Sequence, residues 1–107
     1  MARRPCKLAV LLLLFTSPAA LAKTWDVKMV GVQFVPAKLT VKVGDTVRWT
    51  NEDIVPHSVT KDPKNAAGLS GVVNPGQSWE RKMKKPGLFR YACGLHPTMK
   101  AEIQVKR

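Results

Sequence analysis

The chain has 107 residues with 18 basic and 7 acidic side chains, which give a formal net charge of +11. This length is enough for one small domain and excludes a multidomain architecture. A basic domain can bind anionic lipid or acidic proteins. Because the sequence contains no nucleic-acid-binding motif, we expect no nucleic-acid partner.

The first 22 residues have the order of a secretory signal peptide. An unbroken apolar run from Leu8 to Phe15 separates a positively charged start from a small-residue exit, Ala20-Leu21-Ala22. This run is shorter than the roughly 20 apolar residues of a membrane-spanning helix. We therefore predict that residues 1–22 are removed, that the protein is periplasmic or otherwise exported, and that the mature chain does not insert stably into a membrane.

The remaining residues, 23–107, are predicted to form a single domain of 85 residues. Loss of Arg3, Arg4 and Lys7 with the signal peptide leaves 15 basic against 7 acidic side chains, a net charge of +8. Cys6 is lost as well, so Cys93 is the only cysteine left and no internal disulfide can form. A core of this size is marginally stable, and a bound metal would add a useful restraint.

Alternating apolar and polar residues predict a series of short β-strands in this domain. Gly44-Asp45 is expected to form a tight turn between the second and third strands. The segment 61–73 lacks alternation and is interpreted as a loop with one helical turn around residues 65–69. Strands at this spacing predict an antiparallel β-sandwich or barrel. We expect strands near residues 25–30, 39–43, 47–50, 77–83, 88–93 and 101–105.

The predicted strand that ends at Cys93 is followed by a short loop that contains further metal-ligand residue types. Tyr91 and Cys93 have the same parity, so the thiol should point into the core at the strand end. Gly94 then ends the strand, and the next strand begins near residue 100. His96 and Met99 are therefore expected on a tight turn beside Cys93.

A thiolate, an imidazole and a thioether on one loop favour copper over calcium or magnesium, which prefer oxygen ligands. Trigonal copper sites use two histidines and one cysteine with a long axial methionine. The other histidine of the chain, His57, lies where the predicted strand 47–50 gives way to the next. In a sandwich that junction can lie at the same end as the Cys93 loop.

These residues also allow other interpretations. Taken singly, Cys93 is typical of a small buried hydrophobe, His57 of a surface histidine and Met99 of core packing. Zinc also suits one cysteine with two histidines, but methionine is a poor zinc ligand and four protein ligands leave no position for a hydrolytic water. A cysteine-protease dyad is excluded because nothing else in the pattern builds an oxyanion site.

The stretch NEDIVPHSV, followed by Tyr-x-Cys-x-x-His-x-x-Met, resembles the cupredoxins, the blue-copper family of plastocyanin, azurin and amicyanin. The short loop and Pro97 are most similar to amicyanin, and the resemblance extends from Phe34-Val35-Pro36 through KVGDTVRWTN to the last strand. It implies an all-β, Greek-key β-sandwich of about eight strands and one-electron transfer between Cu(I) and Cu(II). It also implies one mononuclear copper ion with four ligands, His57, Cys93, His96 and Met99. Ser58 stands where the family often has asparagine, which leaves the bracing of the ligand loops open.

We therefore expect a small exported type 1 (blue) copper protein that carries single electrons, is not an enzyme and works as a monomer. Its partners would be transient and acidic, with a dehydrogenase or a c-type cytochrome as examples. The resemblance implies that His96 is the ligand nearest to solvent, and the apolar rim around it would consist of Pro36, Pro56, Leu95 and Pro97. The alternative is a copper-binding protein for periplasmic copper delivery, sequestration or resistance.

The basic cluster at residues 81–85 is one candidate for the surface where such a partner would dock. It lies about 20 Å from the predicted copper site at roughly 3.3 Å per residue, so we interpret it as a solvated end of the domain. Lys61, Lys64 and Lys100 are expected to affect docking more.

Overall fold

Two four-stranded β-sheets pack face to face in the computed structural model, which describes residues 21–61 and 69–107. One sheet has the order β2-β1-β4-β6 and the other has the order β3-β8-β7-β5. The predicted all-β sandwich of about eight strands is confirmed. The strands are β1 (Thr24–Val30), β2 (Gln33–Val35), β3 (Lys38–Lys42), β4 (Thr46–Asn51), β5 (Thr60–Lys61), β6 (Ser78–Lys82), β7 (Gly87–Ala92) and β8 (Lys100–Lys106).

Most of the predicted signal peptide, and the predicted helical turn up to residue 68, lie outside the described residues. Within residues 21–61 and 69–107 there is no helix with the length and apolar character needed to cross a bilayer.

The prediction of purely antiparallel pairing is wrong. β1 pairs in parallel with β4, and β3 pairs in parallel with β8. The cause is the turn at Gly44, which has a φ of 99° and leads from one sheet to the other, so that β3 and β4 never pair with each other. Asp45 fixes this crossing, since its carboxylate accepts hydrogen bonds from the backbone of Lys23 and Lys42 and from the Trp25 indole.

The core lies between the two sheets and is built from the alternate residues of each strand that point inwards. On β4, Val47 and Trp49 are fully buried, as the alternation predicts. Trp49 meets Tyr91 of β7 edge-on, with ring centroids 5.4 Å apart. Tyr91 also packs edge-on against Phe34 of β2, at 4.6 Å. Val43, in contrast, is 41% exposed, because β3 ends one residue before it.

Strand direction brings three chain segments to one pole of the sandwich. β4 ends there at Asn51, β7 ends there at Ala92, and β8 starts there at Lys100, opposite Ala92. We call this end the upper pole. The buried Asn51 side chain donates hydrogen bonds to the carbonyls of Val55 and Val73, at 2.8 and 2.9 Å. This amide therefore holds the loop after β4 against the segment that carries Val73.

Replacement of Tyr91 by phenylalanine is expected to stabilise the protein at high pH. The hydroxyl of Tyr91 is buried and makes no well-formed hydrogen bond among the described residues, and burial, against a weaker opposing effect of the nearby Trp49 indole, raises the pKa of this side chain to about 12. In the unfolded chain the pKa is about 10, so between pH 10 and 12 the unfolded state binds fewer protons and the free energy of unfolding falls by up to about 2.7 kcal/mol. That loss is absent below pH 10.

In Tyr91→Phe this loss should disappear, and removal of the unpartnered hydroxyl should be neutral or add up to about 1 kcal/mol at pH 7. Urea unfolding of both proteins at pH 7 and at pH 11 measures the difference. The chain has a single tyrosine, so the ultraviolet absorbance of tyrosinate reports the same ionisation directly. Identical changes with pH in the two proteins would contradict the assignment.

Candidate metal centre

Three side chains with metal-binding atoms converge at the upper pole. His57 lies in the loop after β4 and is held by two backbone hydrogen bonds to Val73, at 2.7 and 3.1 Å. Cys93 follows the last residue of β7 directly, and His96 lies on the loop between β7 and β8. The ligand atoms of His57, Cys93 and His96 all lie within 4.8 Å of one another.

The geometry directs one nitrogen of each imidazole towards the thiol. The Sγ atom of Cys93 lies 3.7 Å from Nδ1 of His57 and 3.8 Å from Nδ1 of His96. His57 and Cys93 are buried, whereas His96 is partly exposed. The cluster therefore has one edge that reaches solvent, and that edge is His96.

Met99 lies beside this cluster through the backbone of its loop. Its carbonyl accepts a hydrogen bond from the N–H of Cys93, and its own N–H donates to the carbonyl of His96, both at 2.9 Å. Its side chain is buried, with 3% exposed. The tight turn that the sequence predicts between Cys93 and the last strand is therefore present, and it is closed by hydrogen bonds among three of the four predicted ligand residues.

The donor set fits a copper ion. A metal–sulfur bond of about 2.3 Å and a metal–nitrogen bond of about 2.0 Å that open at about 120° put sulfur and nitrogen roughly 3.7 Å apart. The two separations between Sγ of Cys93 and the imidazole Nδ1 atoms agree with this value. One thiolate and two imidazoles suit copper or zinc, and the presence of a buried methionine, Met99, on the same loop favours copper.

Ser58 joins the two ligand-bearing segments. Its backbone N–H donates to Sγ of Cys93 at 3.4 Å, and its hydroxyl accepts from the N–H of Gly94 at 2.8 Å and contacts the Thr60 hydroxyl at 3.2 Å. A Cβ atom on Gly94 would lie only 3.1 Å from each of those hydroxyl oxygens, so glycine allows this close approach. The serine thus braces the Cys93 end of the loop, in the role that the sequence analysis left open.

Asp53 is a residue of this site that sequence reasoning missed. Its carboxylate accepts a hydrogen bond of 2.7 Å from Nε2 of His57, the ring nitrogen on the far side from the thiol. It also accepts from the backbone N–H groups of Gly31 and Val32, at 2.7 and 2.9 Å. This contact assigns the proton of His57 to Nε2 and leaves Nδ1 free to bind a metal.

The bond network around Asp53 keeps it ionised and orders the turn after β1. The N–H of Val32 holds the pKa of Asp53 below its usual range, and the bonds from His57 and Gly31 act in the same direction against the effect of burial. Val32 has a φ of 57°, which a β-branched residue rarely adopts. The only sequence signal for this arrangement was a carboxylate four residues before His57.

Apolar side chains are exposed around the ligand segments. Leu95, next to His96, is 49% exposed, and Pro56 and Pro97 are also exposed, as the predicted rim requires. Ile54, in the loop before His57, is 94% exposed and was missed. Pro36 follows β2, whose last residue pairs with β1 two residues before the end of that strand. It leads into β3, the edge strand beside β8, and its place in the rim stays a prediction.

Comparisons with known sequences show that the chain is similar to proteins of one family. A family model for a cupredoxin-like domain matches residues 6–105. Amicyanin-alpha of Methylorubrum extorquens is 30% identical over 88 residues, which cover 79% of this chain and 74% of the relative. Amicyanin of Paracoccus denitrificans is 31% identical over 97 residues, which cover 84% of this chain and 74% of the relative.

Comparisons with solved structures agree. A methionine-to-alanine variant of amicyanin in its Cu(I) form aligns with a TM-score of 0.70 and 28% identity, covering 78% of this chain and 82% of that one. A purple cupredoxin from Nitrosopumilus maritimus aligns with a TM-score of 0.69 and 26% identity, covering 77% of this chain and 99% of that one. The predicted resemblance is thus confirmed, and the chain belongs to the cupredoxin family.

Proposed function

We propose that this protein is an exported type 1 copper protein in which His57, Cys93, His96 and Met99 hold one copper ion and through which single electrons pass. The observation that carries the proposal is the convergence of the Cys93 thiol and the Nδ1 atoms of both histidines, at 3.7 and 3.8 Å. These are the only two histidines of the chain, and 39 positions of sequence separate His57 from His96. Their meeting at one thiol favours a metal site over separate structural roles.

Bound copper would supply the one-electron chemistry of the Cu(I)/Cu(II) couple. The protein contributes a ligand frame that changes little between the two states. Cys93 is fixed at the end of β7 and by its bond to the carbonyl of Met99. His57 is fixed by Val73 on its backbone and by Asp53 on its ring. Because both ligand segments are braced from outside, little reorganisation is expected when an electron arrives or leaves.

His96 is the proposed route for electrons, because it alone of the clustered ligands is partly exposed. Exposed apolar side chains at Leu95 and Ile54 suit brief contact with a partner, since redox encounters use small interfaces. We infer a monomeric carrier, not an enzyme, that meets an acidic partner of the dehydrogenase or c-type cytochrome kind. Lys100 is exposed next to the ligand loop and would assist that encounter.

The alternative role in copper delivery, sequestration or resistance is not favoured. Proteins that pass or store copper need further exchangeable ligands. Both histidines of this chain already lie in the cluster, and the other methionines of the domain, Met29 and Met83, are buried in the core.

The proposal is tested by optical and paramagnetic-resonance spectra of the copper-loaded protein, followed by a redox titration. We expect an intense visible band from thiolate-to-copper charge transfer and a reversible one-electron couple. A pale solution at full copper occupancy would contradict the ligand set, and an intense band without a reversible couple would contradict the carrier role.

Met99→Gln is expected to keep the copper and lower the reduction potential. An amide oxygen is a harder ligand than a thioether and stabilises Cu(II) relative to Cu(I). Met99→Leu removes the axial donor altogether and should shift the potential upwards. Redox titration of both variants gives the sign of each change.

Met83→Leu is the matched control, because Met83 is buried at the opposite end of the sandwich, where its N–H bonds to the carbonyl of Asp45. Its potential should equal that of the unchanged protein. If neither substitution at Met99 moves the potential more than this control does, Met99 is not an axial ligand.

A further inference from the structure

The end of the sandwich opposite the candidate metal centre carries a concentration of positive charge. Backbone hydrogen bonds tie its segments together, from Val43 to Lys106, from Gly44 to Met83 and from Met83 to Asp45. We call this end the lower pole. Its exposed cations are Lys42, Lys82, Lys84, Lys85, Lys106 and Arg107.

Almost none of this positive charge is neutralised locally. The only acidic residue in residues 42–46, 82–87 and 105–107 is Asp45, which is 4% exposed and accepts its hydrogen bonds from backbone N–H groups and an indole. The salt bridges found among the described residues lie elsewhere, on Lys28, Arg48 and His57. Six cations and one buried carboxylate give these three segments a net charge of +5.

The upper pole is close to neutral, since Lys61 near the adjoining end of β5 offsets the acidic excess of its loops. Its loops, residues 52–58 and 94–100, contain Glu52, Asp53 and Lys100, a net charge of −1. The domain is therefore polarised along the strands, and an extended anionic surface attracts the lower pole more strongly than the upper one, where Lys100 lies beside the ligand loop. Charge that served solubility alone would not need to be separated in this way.

The lower pole also offers apolar contact between its cations. A groove of about 630 Å³ is lined by Arg81, Lys84 and Lys85 together with Leu88 and Phe89. Leu88 is 46% exposed, and the Arg81 guanidinium lies 5.5 Å from the centre of the Phe89 ring. Basic side chains around exposed apolar ones are typical of surfaces that lie in the interfacial layer of a bilayer.

The chain enters the domain at this same pole. The carbonyl of Lys23 accepts a hydrogen bond from Thr46, and the N–H of Lys23 donates to Asp45. The apolar run from Leu8 to Phe15 is therefore connected to the domain within a few residues of the lower pole.

We propose that the lower pole is a docking surface for anionic membrane lipid. Phosphate groups of the leaflet contact Lys82, Lys84 and Lys85, and the candidate metal centre faces away from the bilayer, where His96 stays accessible to a partner. Lipid is favoured over an acidic protein because the cations surround a groove with an exposed apolar side chain. The inference does not require copper to be bound.

The test is sedimentation of the chain that begins at Lys23, which contains all eight strands, with lipid vesicles. We expect binding to phosphatidylcholine vesicles that contain phosphatidylglycerol, weaker binding at high salt, and no binding to phosphatidylcholine alone. The combined variant Lys82→Gln, Lys84→Gln and Lys85→Gln should bind roughly 100-fold more weakly, since each lysine near an anionic leaflet contributes about a fivefold change.

The matched control is Lys28→Gln, Lys38→Gln and Lys100→Gln, which removes the same charge away from the lower pole. Its affinity for the vesicles should fall by less than about 10-fold, against roughly 100-fold for the first variant. Acetylation of lysines in the presence of vesicles gives the orientation, with Lys84 and Lys85 protected and Lys100 still reactive. Equal losses in the two variants, protection of Lys100, or no binding to the anionic vesicles would each overturn the proposal. Capture by immobilised polyglutamate without binding to vesicles would also overturn it, in favour of an acidic protein partner.

Discussion

Cys93→Ser is expected to abolish the intense visible absorption of the copper-loaded protein. The band requires charge transfer from a thiolate to copper, and the donor orbitals of an alcohol oxygen lie lower in energy than those of sulfur, so no comparable transition falls in the visible range. Cys93 is the only free cysteine among the described residues, it is 1% exposed, and both imidazole Nδ1 atoms are directed to its sulfur. No other side chain in the cluster can take its place. Visible spectra at equal copper occupancy measure the loss.

Thr98→Ser is the matched control, because Thr98 is exposed on the same loop and its substitution removes only a methyl group. It should keep the full colour. Serine at position 93 is nearly isosteric with cysteine, so urea unfolding of the metal-free variant should show a loss of only about 1–2 kcal/mol from the buried hydroxyl. A variant that is folded by this measure and still deeply coloured would rule out Cys93 as the thiolate ligand.

The elements that the sequence predicted well are those governed by local periodicity. Alternation placed Val47 and Trp49 inside the core, and parity on the later strand placed the Cys93 thiol inside at the strand end. The loop spacing placed Met99 beside Cys93, because a loop this short leaves the chain few ways to return. Each of these inferences needs only the geometry of one strand or one turn.

The features that the sequence did not predict depend on contacts between distant segments. The parallel pairing of β1 with β4 follows from a crossover at Gly44 between sheets, and strand alternation carries no information on strand direction. Asp53 contacts Gly31 and Val32, more than 20 positions earlier in the chain.

The charge polarity of the domain lies between these two cases. The cluster at residues 81–85 was visible in the sequence, and β7, which runs from Gly87 to Ala92, separates it from Cys93 as the sequence analysis assumed. The sequence did not indicate that Lys42, Lys106 and Arg107 join it, because that requires the ends of β3, β6 and β8 to meet. The proposal of a lipid-docking surface therefore depends on the assembled pole and not on residues 81–85 alone.

Asp53→Asn is expected to weaken copper binding by about 10–100-fold and to raise the reduction potential. The carboxylate accepts three hydrogen bonds, from Gly31, Val32 and the Nε2 atom of His57. An amide has one oxygen, so at least one of these donors faces an N–H group instead, and His57 loses its fixed orientation. Loss of a negative charge near the site also disfavours Cu(II) more than Cu(I). Chelator competition measures the affinity, and redox titration measures the potential.

Glu52→Gln is the matched control, since it removes the same charge from the neighbouring residue. Glu52 is 44% exposed at its side chain and lies 3.9 Å from Lys28, so solvent screens it and its effect on the copper should be small. If Asp53→Asn and Glu52→Gln change the affinity and the potential equally, Asp53 acts only as a general charge. A larger effect of Asp53→Asn at high salt as well as low salt means instead that the carboxylate orients His57, because the hydrogen bond to Nε2 survives screening whereas the long-range charge does not.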